Sequence, residues 1–147
     1  MPVGRLKMMK EETKEKKEKK VPQKKKEASQ FGRFAEELTR DYILKQGYPI
    51  TESNWRFGNH IEIDLISQQG DEMAFIEVKA RNGKYQHAED AIDIKKMKLL
   101  VKGADIYLQQ QKHDFTARFD VALLEGDMED YEFTYLRDAF IPPLNAR

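Results

Sequence analysis

Residues 60–81 read HIEIDLISQQGDEMAFIEVKAR, and this stretch constrains the fold more than any other in the chain. Ile61, Ile63 and Leu65 alternate with Glu62, Asp64 and Ile66, and alternation resumes from Met73 to Arg81. A period of two belongs to strands. The link Gln68-Gln69-Gly70-Asp71-Glu72 is rich in turn formers, so the spacing predicts an antiparallel hairpin of strands 61–67 and 73–81. Folding about Gly70 and Asp71 sets Ile63 opposite Val78 and Leu65 opposite Ile76 on one face. On the other face Asp64 meets Glu77, Glu62 meets Lys79 and Ile66 meets Phe75. A one-residue slip would drive acids into the apolar face, which constrains the register and leaves only a slip of two open.

In this register Glu62 and Lys79 form an ordinary cross-strand ion pair, whereas Asp64 opposite Glu77 is a pair of like charges. Such a pair destabilises a ladder and needs a reason. A hard divalent cation is one, because Mg²⁺ takes oxygen ligands and is commonly held by two carboxylates plus substrate phosphate. Lys79 projects from the same face as Glu77, where it could orient a water or neutralise charge on a phosphate. A solvated outer sheet face explains the alternation equally well. Glu-x-Lys by itself carries no signal, since it recurs at Glu12–Lys14, Glu15–Lys17 and Glu18–Lys20.

Around the hairpin, Phe31, Ala35, Leu38 and Tyr42 recur at helical spacing up to Gly47, predicting a helix over about residues 29–46. Tyr48–Trp55 reads as a strand near the sheet edge because of Pro49. Ala91, Ile94, Met97, Val101, Ala104 and Leu108 mark a second helix within Ala88–Gln110, interrupted by Gly103. Thr116–Leu124 is a further strand, and Tyr131–Leu136 an expected edge strand. The order is α-β-β-β-α-β with an extra β, which is an α/β class: a mixed sheet flanked by helices.

A length of 147 residues suits one folded domain. The absence of cysteine excludes disulfides, thiolate zinc sites and cysteine nucleophiles. No apolar run approaches a membrane span and no signal-type apolar segment opens the chain, so no membrane partner and a cytoplasmic location are expected. The zero net charge conceals a division. Residues 1–30 hold eleven Lys/Arg and five Glu, leaving fifteen basic and twenty-one acidic residues for the rest of the chain. Residues 1–28 are therefore expected to be a lysine-rich tail, disordered or a frayed solvated helix, and residues 29–147 the folded domain. The tail reads either as a basic arm that attracts phosphates by counterion release or as a solubilising extension. His60, His87 and His113 are scattered without zinc-ligand spacing. Trp55, Phe57 and Tyr85 could stack on unpaired bases, although aromatics near strand ends are more often core or rim.

Gly32 to Glu36 (G-x-x-A-E), Gly47-Tyr48, Asn54 to Arg56 (NWR), Glu62 to Ile66 (EIDLI), Phe75 to Arg81 (FIEVKAR) and Arg118 to Ala122 (RFDVA) occur in the order of a known family. Over roughly residues 30–125 the chain resembles the YraN-like proteins, a small bacterial family described as candidate endonucleases of the PD-(D/E)XK superfamily, similar in layout to Holliday-junction resolvases. The resemblance implies a restriction-endonuclease-like αβββαβ core. It further implies that Asp64 and Glu77 are metal ligands, Lys79 the catalytic lysine and Glu36 the acid of the first helix. Glu36 also reads as an ordinary solvent-facing glutamate beside Glu37. Arg81, Lys95, Lys96 and Lys98 become candidate nucleic-acid contacts, with Lys96 the best match to a basic residue of the second helix. Glu62, Arg118 and Asp120 would support the site, the last two equally well as a structural pair. His60 and Gln86-His87 depart from the family's glycines near the cleft that the resemblance implies.

The expected function is a Mg²⁺- or Mn²⁺-dependent endonuclease acting on DNA, with branched or structured DNA suggested by the resemblance alone. The alternative is a catalytically silent nucleic-acid-binding or protein-interaction module on the same fold. The acidic balance of residues 31–147 opposes a duplex-gripping surface. The tail, the lysines at 95–98, a homodimer partner or another protein would have to supply one.

Overall fold

The computed structural model describes residues 23–83 and 88–142. Most of the N-terminal tail, and Tyr85, Gln86 and His87, lie outside the described residues. The chain divides into two compact units at residue 30, and all packing discussed below lies within residues 31–147. The elements are α1 (Gln23–Lys45), β1 (Glu52–Phe57), β2 (Ile61–Gln69), β3 (Glu72–Arg81), a 3₁₀ turn (Ala88–Ala91), α2 (Ile94–Gln109), β4 (Thr116–Gly126) and β5 (Tyr131–Leu136). The five strands form one mixed sheet in chain order. All neighbours are antiparallel except β3 and β4, which α2 connects in parallel. This is the expected α/β architecture: an αβββαβ core of the restriction-endonuclease type, with β5 added at the edge. Among the described residues no helix is long and apolar enough to cross a membrane.

Both sheet faces are covered. Met73, Phe75, Phe119, Val121 and Leu123 pack under Leu100, Val101, Ala104 and Tyr107 of α2. Ala74, Ile76 and Ala122 meet Ile43 of α1, while Leu124 meets Phe31 and Ala35. The buried stripe of α1 is Phe31, Ala35, Thr39 and Ile43, so from Leu38 onward it falls one residue later than the apolar spacing predicts. Thr39 tolerates burial because its hydroxyl donates to the Ala35 carbonyl at 2.6 Å. Ile43, 1% exposed, contributes about 1.5–3 kcal/mol by leaving water. Tyr42 stays at the surface and stacks on Tyr135, with ring centroids 4.6 Å apart.

The helix boundaries differ from the sequence expectation in two places. The first helix is already formed at Gln23, the first residue described, well before the expected start near residue 29, because Lys, Gln, Glu and Ala favour helix without any apolar periodicity. The second begins at Ile94, because the Asp93 carboxylate accepts the Lys96 N–H at 2.8 Å and caps the helix there. Ile94 consequently sits in the first turn, 64% exposed, and is not a core residue. The strand expected over Tyr48–Trp55 forms later, at Glu52–Phe57.

Gly103 marks the close approach of α2 to β2. A Cβ at this position would lie 2.7 Å from Ile61 Cγ2 and 3.1 Å from Ile63 Cδ1. Alanine is the better helix former by about 1 kcal/mol, while overpacking costs about 1–3 kcal/mol. Gly103→Ala is therefore expected to lower the urea midpoint. A raised midpoint would mean that the two isoleucines swing clear.

Candidate active site

The hairpin register is as the sequence predicts from Leu65↔Ile76 and Ile66↔Phe75 to Gln69↔Glu72. Beyond Leu65 the pleat breaks. Ile63 and Ile66 both belong to the core under α2, whereas Leu65 belongs to the core under α1. The expectation that Ile63 shares a face with Leu65, opposite Val78, is corrected by this switch. On β1 the register runs through Ser53↔Leu65 and Trp55↔Ile63, and Asn54 between them takes φ +51, a left-handed conformation that asparagine tolerates. An irregularity of this kind re-aims a side chain. Here it aims Asp64 at β3, where Oδ2 accepts the Val78 N–H at 2.8 Å.

Glu77 follows the alternation of Met73 and Phe75 and so belongs to the α2 face of β3. It is buried, and its Oε2 has no hydrogen-bond partner. Lys96 Nζ, from the first turn of α2, lies 3.3 Å from that oxygen, within ion-pair distance. Burial pushes the Glu77 carboxyl up to about 8. The adjoining Asp64 carboxylate adds to the rise by accepting a hydrogen bond from protonated Glu77 and repelling the ionised form, while Lys96 and Lys79 pull the other way. Asp64 and Glu77 are thus brought together, as the sequence predicts.

Glu36 approaches from α1. Its carboxyl is raised, first by burial and then by the charge of Asp64, with Glu62 adding and Arg40 opposing. Glu36 comes from one side of the sheet and Glu77 faces the other, so Asp64 is the residue that each feels. Among the described residues no three Asp, Glu or His side chains converge to hold one ion. The core of the arrangement is the pair, with Glu36 at its flank.

The remaining candidates fall in several places. Lys79 is half-buried and makes no ion pair with a described residue, yet its charge is felt at Glu77. Glu62 bonds Arg56 on β1 at 3.4 Å, not Lys79 as expected. Lys95, Lys98 and Arg81 are exposed. Arg118 and Asp120 do not touch the acid pair. Arg118 Nη2 lies 2.9 Å from Asp120 Oδ2 and donates to Gln69 Oε1 at 2.6 Å, while Nη1 reaches Glu72 at 3.1 Å. Asp120 also accepts the Tyr135 hydroxyl at 2.5 Å and the Asp138 N–H at 2.9 Å. Asp120 lies beside Ile76 and shares the α1 face with Ala122, so it is on the opposite face from Glu77. Sequence reasoning missed Lys96 as the ion partner of Glu77. The signal was present in Asp93, whose capping of the helix at Ile94 sets Lys96 in the first turn.

The profile of the uncharacterised protein family UPF0102 matches residues 35–124, from α1 to the end of the β4 core. The chain belongs to UPF0102. This is the YraN family, so the resemblance drawn from the motifs is borne out. The UPF0102 chain is 33% identical over 119 residues to a UPF0102 protein of Phocaeicola vulgatus, covering 80% of this chain and 98% of the relative. A UPF0102 protein of Bacteroides thetaiotaomicron matches to the same extent. One from Chlorobium chlorochromatii is 35% identical over 118 residues, covering 76% and 91%. The matched span includes Glu36, Asp64, Glu77, Lys79 and Lys96.

Proposed function

We propose that the protein is a divalent-cation-dependent endonuclease that hydrolyses DNA phosphodiesters. The observation that carries this reading is the buried Glu77 carboxylate, its Oε2 without a hydrogen-bond partner, set against Asp64 where β2 and β3 part. Two carboxylates at such a gap are oxygen donors suited to Mg²⁺ or Mn²⁺, and the unpartnered oxygen is what a cation would satisfy. Asp64 and Glu77 would hold the ion, with Glu36 at the flank. When bound, the ion supplies Lewis acidity at the scissile phosphate.

The chain's own residues supply the rest. The Val78 N–H fixes the Asp64 carboxylate in orientation, and the core beneath α2 excludes water from the inner side of Glu77. Lys79, on the strand face of Glu77 and in no ion pair with a described residue, can donate from Nζ to a phosphate oxygen and offset the charge that grows there. Arg81, Lys95 and Lys98 offer phosphate contacts that position the backbone without reading sequence. Branched or structured DNA as the preferred substrate, and a homodimer or other partner supplying further basic surface, belong to this proposal by family analogy.

One observation favours a second reading, a catalytically silent nucleic-acid-binding or protein-interaction module. Lys96 already offsets Glu77. Asp64, however, has no ion pair with a described residue, so the lysine balances one acid of the two.

The test is cleavage of four-way junctions, flaps and single strands in Mg²⁺ or Mn²⁺, repeated with Lys79→Ala and with chelator. Cleavage that chelator abolishes and that falls by about 10²-fold or more in Lys79→Ala is expected. Undiminished activity in Lys79→Ala would mean a contaminating nuclease and would contradict the proposal.

A further inference from the structure

We infer that Lys96 is a built-in counter-cation: it occupies the acid pair while no divalent ion is bound and swings out when one enters. The inference rests on the metal-centre reading above and names how that centre is kept closed to its ion.

The geometry has four parts. Lys96 Nζ sits 3.3 Å from Glu77 Oε2, yet that oxygen has no hydrogen-bond partner, so the contact is Coulombic without an aligned N–H···O. A contact of that kind is easily given up. The lysine backbone is pinned, because its N–H is the group that caps on Asp93 at 2.8 Å, while the ammonium is held by the Glu77 contact. The Lys96 side chain is 31% exposed against 5% for Glu77, so the lysine has the freer route to solvent. Finally, among the described residues Lys96 is the one cation at ion-pair distance from Glu77 and none is at that distance from Asp64, so the ionised pair is under-neutralised at contact and a divalent ion completes the balance. Once such an ion is present, an ammonium within a few ångströms is repelled, and a flexible point charge on a four-carbon stem can move. The released ammonium remains on the first turn of α2 beside Lys95, where an incoming phosphate would meet it.

Lys96→Met keeps the apolar stem and removes the charge. Mn²⁺ binding to the full chain, read from the free-ion electron paramagnetic resonance signal, is expected to tighten by about tenfold in Lys96→Met at one pH, because no resident cation must leave. In the wild-type protein the Lys96 ammonium ¹⁵N resonance, assigned by its loss in Lys96→Met, should shift when Mg²⁺ saturates the site. In Glu77→Gln, Mg²⁺ should leave it unmoved. Equal or weaker Mn²⁺ binding by Lys96→Met, or a Lys96 resonance indifferent to Mg²⁺ in the wild type, would overturn the inference. If neither protein binds Mn²⁺, the metal-centre reading fails and takes this one with it. If both bind, the variant more tightly, and neither cleaves DNA, the counter-cation stands and the nuclease proposal falls.

Discussion

Arg118→Met is expected to destabilise the protein by about 3–5 kcal/mol, because it strands a buried charge. Asp120 is fully buried and receives the Arg118 guanidinium, the Tyr135 hydroxyl and the Asp138 N–H. The hydroxyl and the amide remain in the variant, but neither carries the positive charge that balances the carboxylate. Tyr135 cannot take up the deficit, since burial and the charge of Asp120 hold its hydroxyl above the ordinary tyrosine range and keep it a neutral donor. Arg118 also ties β4 to the hairpin end through Glu72 and Gln69, contacts that a methionine stem does not replace. Urea unfolding should show the loss as a lower midpoint with little change in slope. The double variant Arg118→Met, Asp120→Leu should recover much of it, since removing both charges costs less than removing one. A loss under about 1 kcal/mol in the single variant would contradict a structural role. Because Asp120 and Glu77 face opposite sides of the sheet, the folded fraction of Arg118→Met should still bind Mn²⁺.

The second large effect is on the pH dependence of ion binding. Burial, and then Asp64, raise the Glu77 carboxyl from 4.5 to about 8, so across that window the folded, ion-free protein holds a proton that the unfolded chain has released. The sign follows from linkage: the folded state binds more protons, so the stability of the ion-free protein falls as pH rises from about 4.5 to about 8. An ion requires the carboxylate and must expel the proton. Apparent Mg²⁺ or Mn²⁺ affinity should therefore climb about tenfold per pH unit, on the order of 10³ from pH 5 to pH 8, and level off above. Near pH 7 binding should release close to one proton, measurable by calorimetry in buffers of different ionisation enthalpy. Lys96 lowers the Glu77 value, so Lys96→Met should move the plateau to higher pH. An affinity flat from pH 5 to pH 8 would mean that Glu77 is not a ligand. In saturating Mg²⁺ the fall in thermal stability with rising pH should disappear.

The hairpin was the most legible part of the chain, because strict alternation on both sides of a turn-forming link leaves little choice of register. Leu65↔Ile76 and Ile66↔Phe75 are as expected. The Tyr131–Leu136 strand is also found as predicted. The break at Asp64 was not legible, since IEIDLI alternates without interruption and the face switch depends on both cores competing for Ile63 and Leu65. That switch is the feature that aims Asp64. Glu36 was suggested by resemblance, and helical spacing alone left it a surface glutamate. On α1 its carboxyl is raised, first by burial and then by the charge of Asp64. Glu62 paired differently from expectation because Arg56 on the neighbouring edge strand lies opposite it. The sequence offers Lys96 only as a phosphate contact, because charge on a helix says nothing of the strand beneath it.

The most direct test of the acid pair as a cation site is calorimetric titration of the ion-free protein with Mn²⁺ at pH 8, beside Asp64→Asn and Glu77→Gln. The account predicts one saturable site in the wild type and none in either variant, with all three proteins folded. Wild-type protein that takes up no Mn²⁺, or variants that bind it as the wild type does, would contradict it.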